Sequence, residues 1–280
     1  TRADGWEDLV IWGMGIAEAD LDADGRPEYA LTSMGDTKVQ ALSEDAFEDE
    51  PIYIDLAFDA GLTAHRPYAG DTSKPSTGWH AQFADVNNDT WHDLFIAKGN
   101  VEAMPNFAAF DPDNLLLGSE TGQYREVGDR AGIALDRRGR GGVIEDFNAD
   151  GKLDLLVINR EEAPSLFVNQ GPLDAPSPAQ DLGNFLRVEL SNGAVNPQGI
   201  GASISVKTGN RFQTKTVAIG GGHASGQIGF SHFGLGQADI AQVRVKWPHT
   251  GWSAPFQVFA NTHVILDRET NSLRTWHAID

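Results

Sequence analysis

Three short stretches of this chain carry oxygen-bearing side chains at a spacing that suits a hard cation. They are Asp20-Leu-Asp-Ala-Asp-Gly-Arg-Pro-Glu28, Asp85-Val-Asn-Asn-Asp-Thr-Trp-His-Asp93 and Asp146-Phe-Asn-Ala-Asp-Gly-Lys-Leu-Asp154, and all read D-x-[DN]-x-D-x-x-x-[DE]. Ca²⁺ takes about six to eight oxygens in a flexible shell. A loop that curls would bring positions 1, 3 and 5 onto one point, add the carbonyl of position 7 and close with the carboxylate of position 9. The first loop then offers Asp20, Asp22, Asp24, the Arg26 carbonyl and Glu28. The second offers Asp85, Asn87, Asp89, the Trp91 carbonyl and Asp93. The third offers Asp146, Asn148, Asp150, the Lys152 carbonyl and Asp154. The expected cofactor is calcium, up to one ion per loop. An EF-hand would need Glu at position 12 and a following helix. That position holds Leu31, Ile96 and Val157 among β-forming residues, so the EF-hand is rejected.

Two carboxylates about 4 Å apart repel by roughly 4 kcal/mol at an effective dielectric near 20. Three or four in one loop therefore call for a cation or for strongly shifted pKa values. Asp and Asn also satisfy turn backbones without any metal, but three loops in one phase, each followed by a strand, favour the ion. The loops are unequal. Gly25 and Gly151 fill position 6, where a left-handed backbone is cheap for Gly. Thr90 fills it in the second loop, which is expected to be the weak or distorted site. No nucleophile or base stands beside the ligands, so the metal is expected to be structural.

The loops also mark the elements that must hold them. Their first aspartates stand 65 and 61 residues apart. Each loop follows a Gly-containing stretch, such as Gly13–Ala17 or Gly141–Ile144. Each precedes an apolar run: Tyr29–Leu31, Leu94–Ala97 or Leu155–Ile158. Further strands are expected at Thr37–Leu42 and Ile52–Phe58. Four short strands per repeat at a near-constant period is the signature of a propeller blade. Asp4–Ile11 matches half of a further copy, so a partial propeller is expected over residues 1–171. It would be completed by blades outside this sequence or by another chain. Prolines in 172–181 suggest a linker. Beyond it, in 182–280, Phe185–Leu190, Ala202–Lys207, Thr214–Ile219 and Ala241–Trp247 alternate with period two. They predict a small antiparallel β domain with one solvated sheet face. The fold class is thus all-β.

Composition narrows the function further. The net charge of −19 argues against nucleic acid and anionic membranes as partners, and opposes compaction unless cations neutralise it. There is no cysteine, so neither disulfides nor thiol chemistry is available. No apolar run is long enough to span a membrane. The chain opens without an initiator Met or an apolar leader and reads as a mature or truncated product.

The three loops resemble FG-GAP or VCBS-type blades of integrin α-subunit propellers. Gly199-Ile-Gly-Ala202, His232-Phe-Gly-Leu-Gly236, and Val243-Arg-Val-Lys-Trp-Pro248 with Gly251 resemble the ASPIC/UnbV domain. Their combination is similar to the cartilage acidic protein family and its bacterial relatives. The resemblance implies a secreted, extracellular, periplasmic or cell-surface calcium-binding protein that engages a protein or glycan ligand, with no established catalytic residues. The chain departs from it in lacking N-terminal blades, in Thr90, and in His223 where an aromatic is expected.

Other constellations read as structural. Gly220–Gly226 lacks phosphate-loop spacing, and neighbours in sequence do not make His223, Ser225 and Asp239 a triad. His80, His92 and His232 show no paired metal spacing. Arg137-Arg-Gly-Arg140 reads as a solvated loop, and Trp6, Trp79 and Trp91 as core filling rather than a sugar platform. The leading reading is a non-enzymatic, calcium-stabilised extracellular interaction module. The alternatives are a structural subunit of a surface assembly and a carbohydrate-active lyase or hydrolase.

Overall fold

The computed structural model describes residues 9, 11–46, 51–63, 75–100, 108, 110–172 and 182–277. Most of the partial copy at Asp4–Ile11, and of the expected linker, lies outside them. The described chain is all-β apart from a one-turn helix.

Its first part is a row of antiparallel meanders. One contains β1 (Gly13–Ala19), β2 (Glu28–Ser33), β3 (Lys38–Leu42) and β4 (Tyr53–Asp55), hydrogen-bonded in chain order. The next repeats this with β5 (Gly78–Ala84), β6 (Asp93–Lys98), β7 (Asn114–Leu117) and β8 (Arg125–Glu126). In the last, β9 (Gly139–Glu145), β10 (Asp154–Asn159) and β11 (Ser165–Phe167) make three strands among the described residues, one fewer than expected. The strand expected at Ile52–Phe58 stops at Asp55. There Asp55 Oδ1 accepts the N–H groups of Val39 (3.0 Å) and Ala57 (3.1 Å) and turns the chain into α1 (Ala57–Ala60).

The meanders stack through alternating side chains. Leu94 and Ile96 of β6 face Ala17, Ala30 and Val39 of the first sheet. Phe95 and Ala97 face Ile144, Leu155 and Val157 of the third. Burial on both sides explains why β6 reads as a continuous apolar run, each such side chain contributing about 1.5–3 kcal/mol. Close approach of β1 to β5 requires Gly15, because a Cβ there would lie 2.3 Å from Trp79 O. The basic cluster is not a solvated loop throughout. Arg140 belongs to β9, lies over the Trp79 ring (4.3 Å) and donates to the carbonyls of Gly99 and Asn100.

The second part is a sandwich of two four-stranded sheets around Leu186, Val188, Ile204, Val206, Phe233, Val243, Val245 and Val264. One sheet runs β15 (Ser231–Gly236), β12 (Asn184–Ser191), β18 (Thr262–Asp267), β19 (Ser272–Trp276). The other runs β14 (Arg211–Thr216), β13 (Ser203–Thr208), β16 (Ile240–Lys246), β17 (Phe256–Phe259). Three expectations change here. The β12–β18 pair is parallel, so the domain is not purely antiparallel. The strand expected at Thr214–Ile219 begins earlier, because Gly209 (φ 55°) and Asn210 close a tight hairpin onto Arg211. Finally, the outer face of the β12 sheet is not solvated at Arg187, His232 and His263, which are buried against the first part.

Candidate metal centres

Each acidic loop is the connection of a hairpin. Strands β1, β5 and β9 end at Ala19, Ala84 and Glu145, one residue before position 1. Strands β2, β6 and β10 begin at position 9, with Glu28, Asp93 and Asp154. The EF-hand alternative fails in space as well, because Leu31, Ile96 and Val157 lie within those strands.

The three loops follow the same backbone path. Position 4 is left-handed in each, at Ala23 (φ 65°), Asn88 (φ 58°) and Ala149 (φ 60°). So is position 6, at Gly25 (φ 86°), Thr90 (φ 80°) and Gly151 (φ 84°). The N–H of position 6 donates to the carboxylate of position 1 at 3.1, 2.8 and 2.9 Å. The N–H of position 2 donates to the carboxylate of position 9 at 2.7, 2.8 and 3.3 Å. That of position 7 donates to position 5, and that of position 5 to position 3. The second loop is therefore not distorted: Thr90 accepts the left-handed conformation that Gly takes in the other two loops.

In the first loop, and only there among the described residues, this frame brings three carboxylates together. Asp20, Asp22 and Glu28 each offer an oxygen within 4.8 Å of the others. Asp20 Oδ1 is buried with no hydrogen-bond partner. Burial first, and neighbouring carboxylates after it, push Asp20 up to about 6 and Glu28 up to about 7. Asp85 rises to about 7 and Asp93 is also raised, both through burial above all. An all-oxygen set with an orphaned buried acceptor fits a hard divalent cation. Position 7 is less uniform. Arg26 and Lys152 fold their side chains back onto Asp24 and Asp150, whereas Trp91 lies beneath the Arg211 guanidinium (3.3 Å).

Motif reading did not assign the residues that clamp two of these loops to that role, although His232 and Gly236 lie in a motif quoted above. The second loop receives Gly183 N–H on Asn87 O (3.1 Å), Gly236 N–H on Asn88 O (2.9 Å) and Arg211 Nε on Thr90 O (3.1 Å). His232 Nε2 lies 2.6 Å from Asn88 Oδ1. At the third loop, Arg187 reaches Asp146 and Glu145, and His263 Nε2 stands 3.5 Å from Asp146 Oδ2. Arg187 pairs with His232 on one side and His263 on the other, so the three form a row across one sheet face. The sequence signal for Arg187 was no more than a charge at an outward position of an alternating strand, like Glu189 two residues on.

A cavity of about 540 Å³ opens between β1, β5 and β9 and residues 214–232. Lys215 lines it, donates to His232 O (2.6 Å) and is lowered to about 8 by burial. No triad of His223, Ser225 and Asp239 is seen: Ser225 Oγ bonds His80 Nδ1 (2.8 Å), and His223 Nδ1 lies 3.2 Å from Met14 O.

Residues 192–272 match the family model described as ASPIC and UnbV. Over 249 residues, 87% of this chain, the sequence is 25% identical to cartilage acidic protein 1 of Mus musculus and to that of Homo sapiens. It is 30% identical to that of Xenopus tropicalis over 115 residues, 40% of this chain. The chain spans about a third of the mouse and human proteins (35% and 34%). Its C-terminal sandwich thus contains an ASPIC/UnbV domain, and the chain is distantly similar to cartilage acidic protein 1.

Proposed function

We propose that the chain is a calcium-stabilised, non-catalytic extracellular interaction module, in which FG-GAP/VCBS-type propeller blades are fastened to an ASPIC/UnbV domain. The observation that carries this reading is the loop frame repeated three times, which in the first loop gathers Asp20, Asp22 and Glu28 and leaves Asp20 Oδ1 without a partner. Each ion would remove two of the charges that make up the net −19. The ligands would be Asp20, Asp22, Asp24 and Glu28; Asp85, Asn87, Asp89 and Asp93; and Asp146, Asn148, Asp150 and Asp154. The carbonyls of Arg26, Trp91 and Lys152 would complete the sets. Affinities suited to an extracellular setting have dissociation constants on the order of 10⁻⁴ to 10⁻³ M.

The row of meanders also supports the reading of an incomplete propeller. Leu156, Ile158 and Leu166 share the outward face of the last sheet, where Ile158 and Leu166 are 49% and 58% exposed. Such a face suits another blade, from this polypeptide beyond the sequence given or from another chain. The partner recognised is a protein or a glycan, and the setting is the cell exterior, the periplasm or a cell surface. Thermal melts with and without chelator test the structural role of calcium. The midpoint is expected to fall by several degrees when calcium is removed, and an unchanged midpoint would sink the proposal.

A further inference from the structure

The three loops share a backbone but differ in what stands against position 1. Asp20 in the first loop accepts one N–H on Oδ2 and none on Oδ1. Asp85 in the second accepts the backbone N–H groups of Asp89 and Thr90. Asp146 in the third accepts those of Asp150 and Gly151, and in addition Nη1 of Arg187 at 3.3 Å from Oδ2. The same Nη1 lies 3.5 Å from Asp146 O, while Nη2 bonds Glu145 Oε1 and the guanidinium lies over the Phe230 ring (5.0 Å). Arg187 is 4% exposed and issues from β12, whose backbone is fixed by ladders on both sides. An arginine guanidinium stays protonated in proteins, so it is charged at neutral pH. Among the described residues, no side chain of the sandwich hydrogen-bonds to the first loop.

We infer that Arg187 is a built-in cation of the third loop, which makes that loop the weakest of the three calcium sites and ties its occupancy to docking of the ASPIC/UnbV domain. This rests on the reading of the loops as calcium sites. A guanidinium fixed against a ligand carboxylate occupies its lone pair and repels an incoming divalent ion, whereas the first loop meets that ion with an unpaired oxygen. Coupling of this kind is reciprocal. Calcium in the third loop loosens the grip of Arg187, and Arg187 neutralises that loop when calcium is absent. Partners around ligating groups typically change metal affinity by about 10- to 100-fold.

Isothermal titration of the full chain with calcium chloride tests this, using D24N and D150N to assign the first and third loops. With Arg187 in place, D150N is expected to abolish the weakest class of sites and D24N a tighter one. If D150N abolishes any class but the weakest, the inference is overturned whatever other variants show. R187Q is expected to tighten the third-loop class by about tenfold or more. R187K, which keeps the charge, is expected to restore the original order. Unchanged or weaker binding at that class in R187Q overturns the inference, as does R187K behaving like R187Q. Absence of saturable binding at every loop would instead overturn the underlying reading of the loops as calcium sites.

Discussion

Asp20 and Glu28 in the metal-free fold hold protons up to pH values near 6 and 7, whereas free Asp and Glu release theirs near 4. The folded state therefore binds more protons than the unfolded chain across that interval. Stability from these groups is full below the unfolded pKa values and is lost as pH rises through the folded ones. Asp85, raised to about 7, adds in the same direction. Buried His80, His92 and His232, all lowered by burial, pull the other way over the same interval, so the carboxylate share is read by comparison: in chelator, going from about pH 5 to about pH 7.5 is expected to favour E28Q over the unmodified chain in melting midpoint. Saturating calcium is expected to favour the upper pH in the unmodified chain, since the metal needs ionised carboxylates; the same pH response in chelator for E28Q and the unmodified chain would contradict the account. Thr90 gives a second test at this scale. A left-handed L residue costs roughly 1–2 kcal/mol, partly offset by the entropy that Gly adds to the unfolded chain. T90G is thus expected to stabilise by about 1 kcal/mol in denaturant melts. The ligand positions were legible because spacing alone defines them. The expected weakness of the second loop did not appear as distortion, because the hydrogen bonds from Thr90 N–H to Asp85 and from Asp89 N–H to Asn87 enforce the backbone path regardless of the side chain. Arg187 was not legible, since a charge at an outward position of an alternating strand looks like a solvated one, as Glu189 beside it also does.

At the scale of elements, the hairpin-and-loop unit could be read from the sequence, because Gly-rich and apolar runs flank each acidic stretch at fixed offsets. What could not be read was the partner of the sandwich's outer face. Period-two alternation in β12 reports two faces, and it does not say whether water or another element covers the polar one. Here it is the second and third loops, brought very close. A Cβ on Gly234 would lie 1.9 Å from Asp85 Oδ2, and one on Gly183 would lie 2.1 Å from Asn88 O. G234A is therefore expected to force the sheet off the second loop, at a cost of about 1–3 kcal/mol or more. A shift in the urea midpoint, together with faster amide exchange at Thr90 and Gly236, would show it. A neutral G234A would mean that the contact is slack.

For the whole molecule, the charge of −19 makes self-repulsion a measurable part of stability. Raising sodium chloride is expected to raise the melting midpoint of the chelated protein more than that of the calcium-loaded one, because screening and calcium relieve the same repulsion. Equal responses would show that the loops carry little of it. One further feature spans the molecule. The segment Gly222–Gln227 touches all three inner strands in turn. Gly222 bridges Ile16 of β1, Ser225 and the His223 N–H meet His80 of β5, and Gln227 donates to Ile144 O of β9. The His223–Met14 contact joins residues 209 apart in sequence, and the His80 contacts join residues 143 and 145 apart. The meanders close on neighbours and can form early, whereas this segment must wait until both parts exist. Refolding should therefore be slow in its last phase, and the amides of Ile16 and Gly222, which bond across the seam, should be the last to gain protection in pulse-labelled exchange.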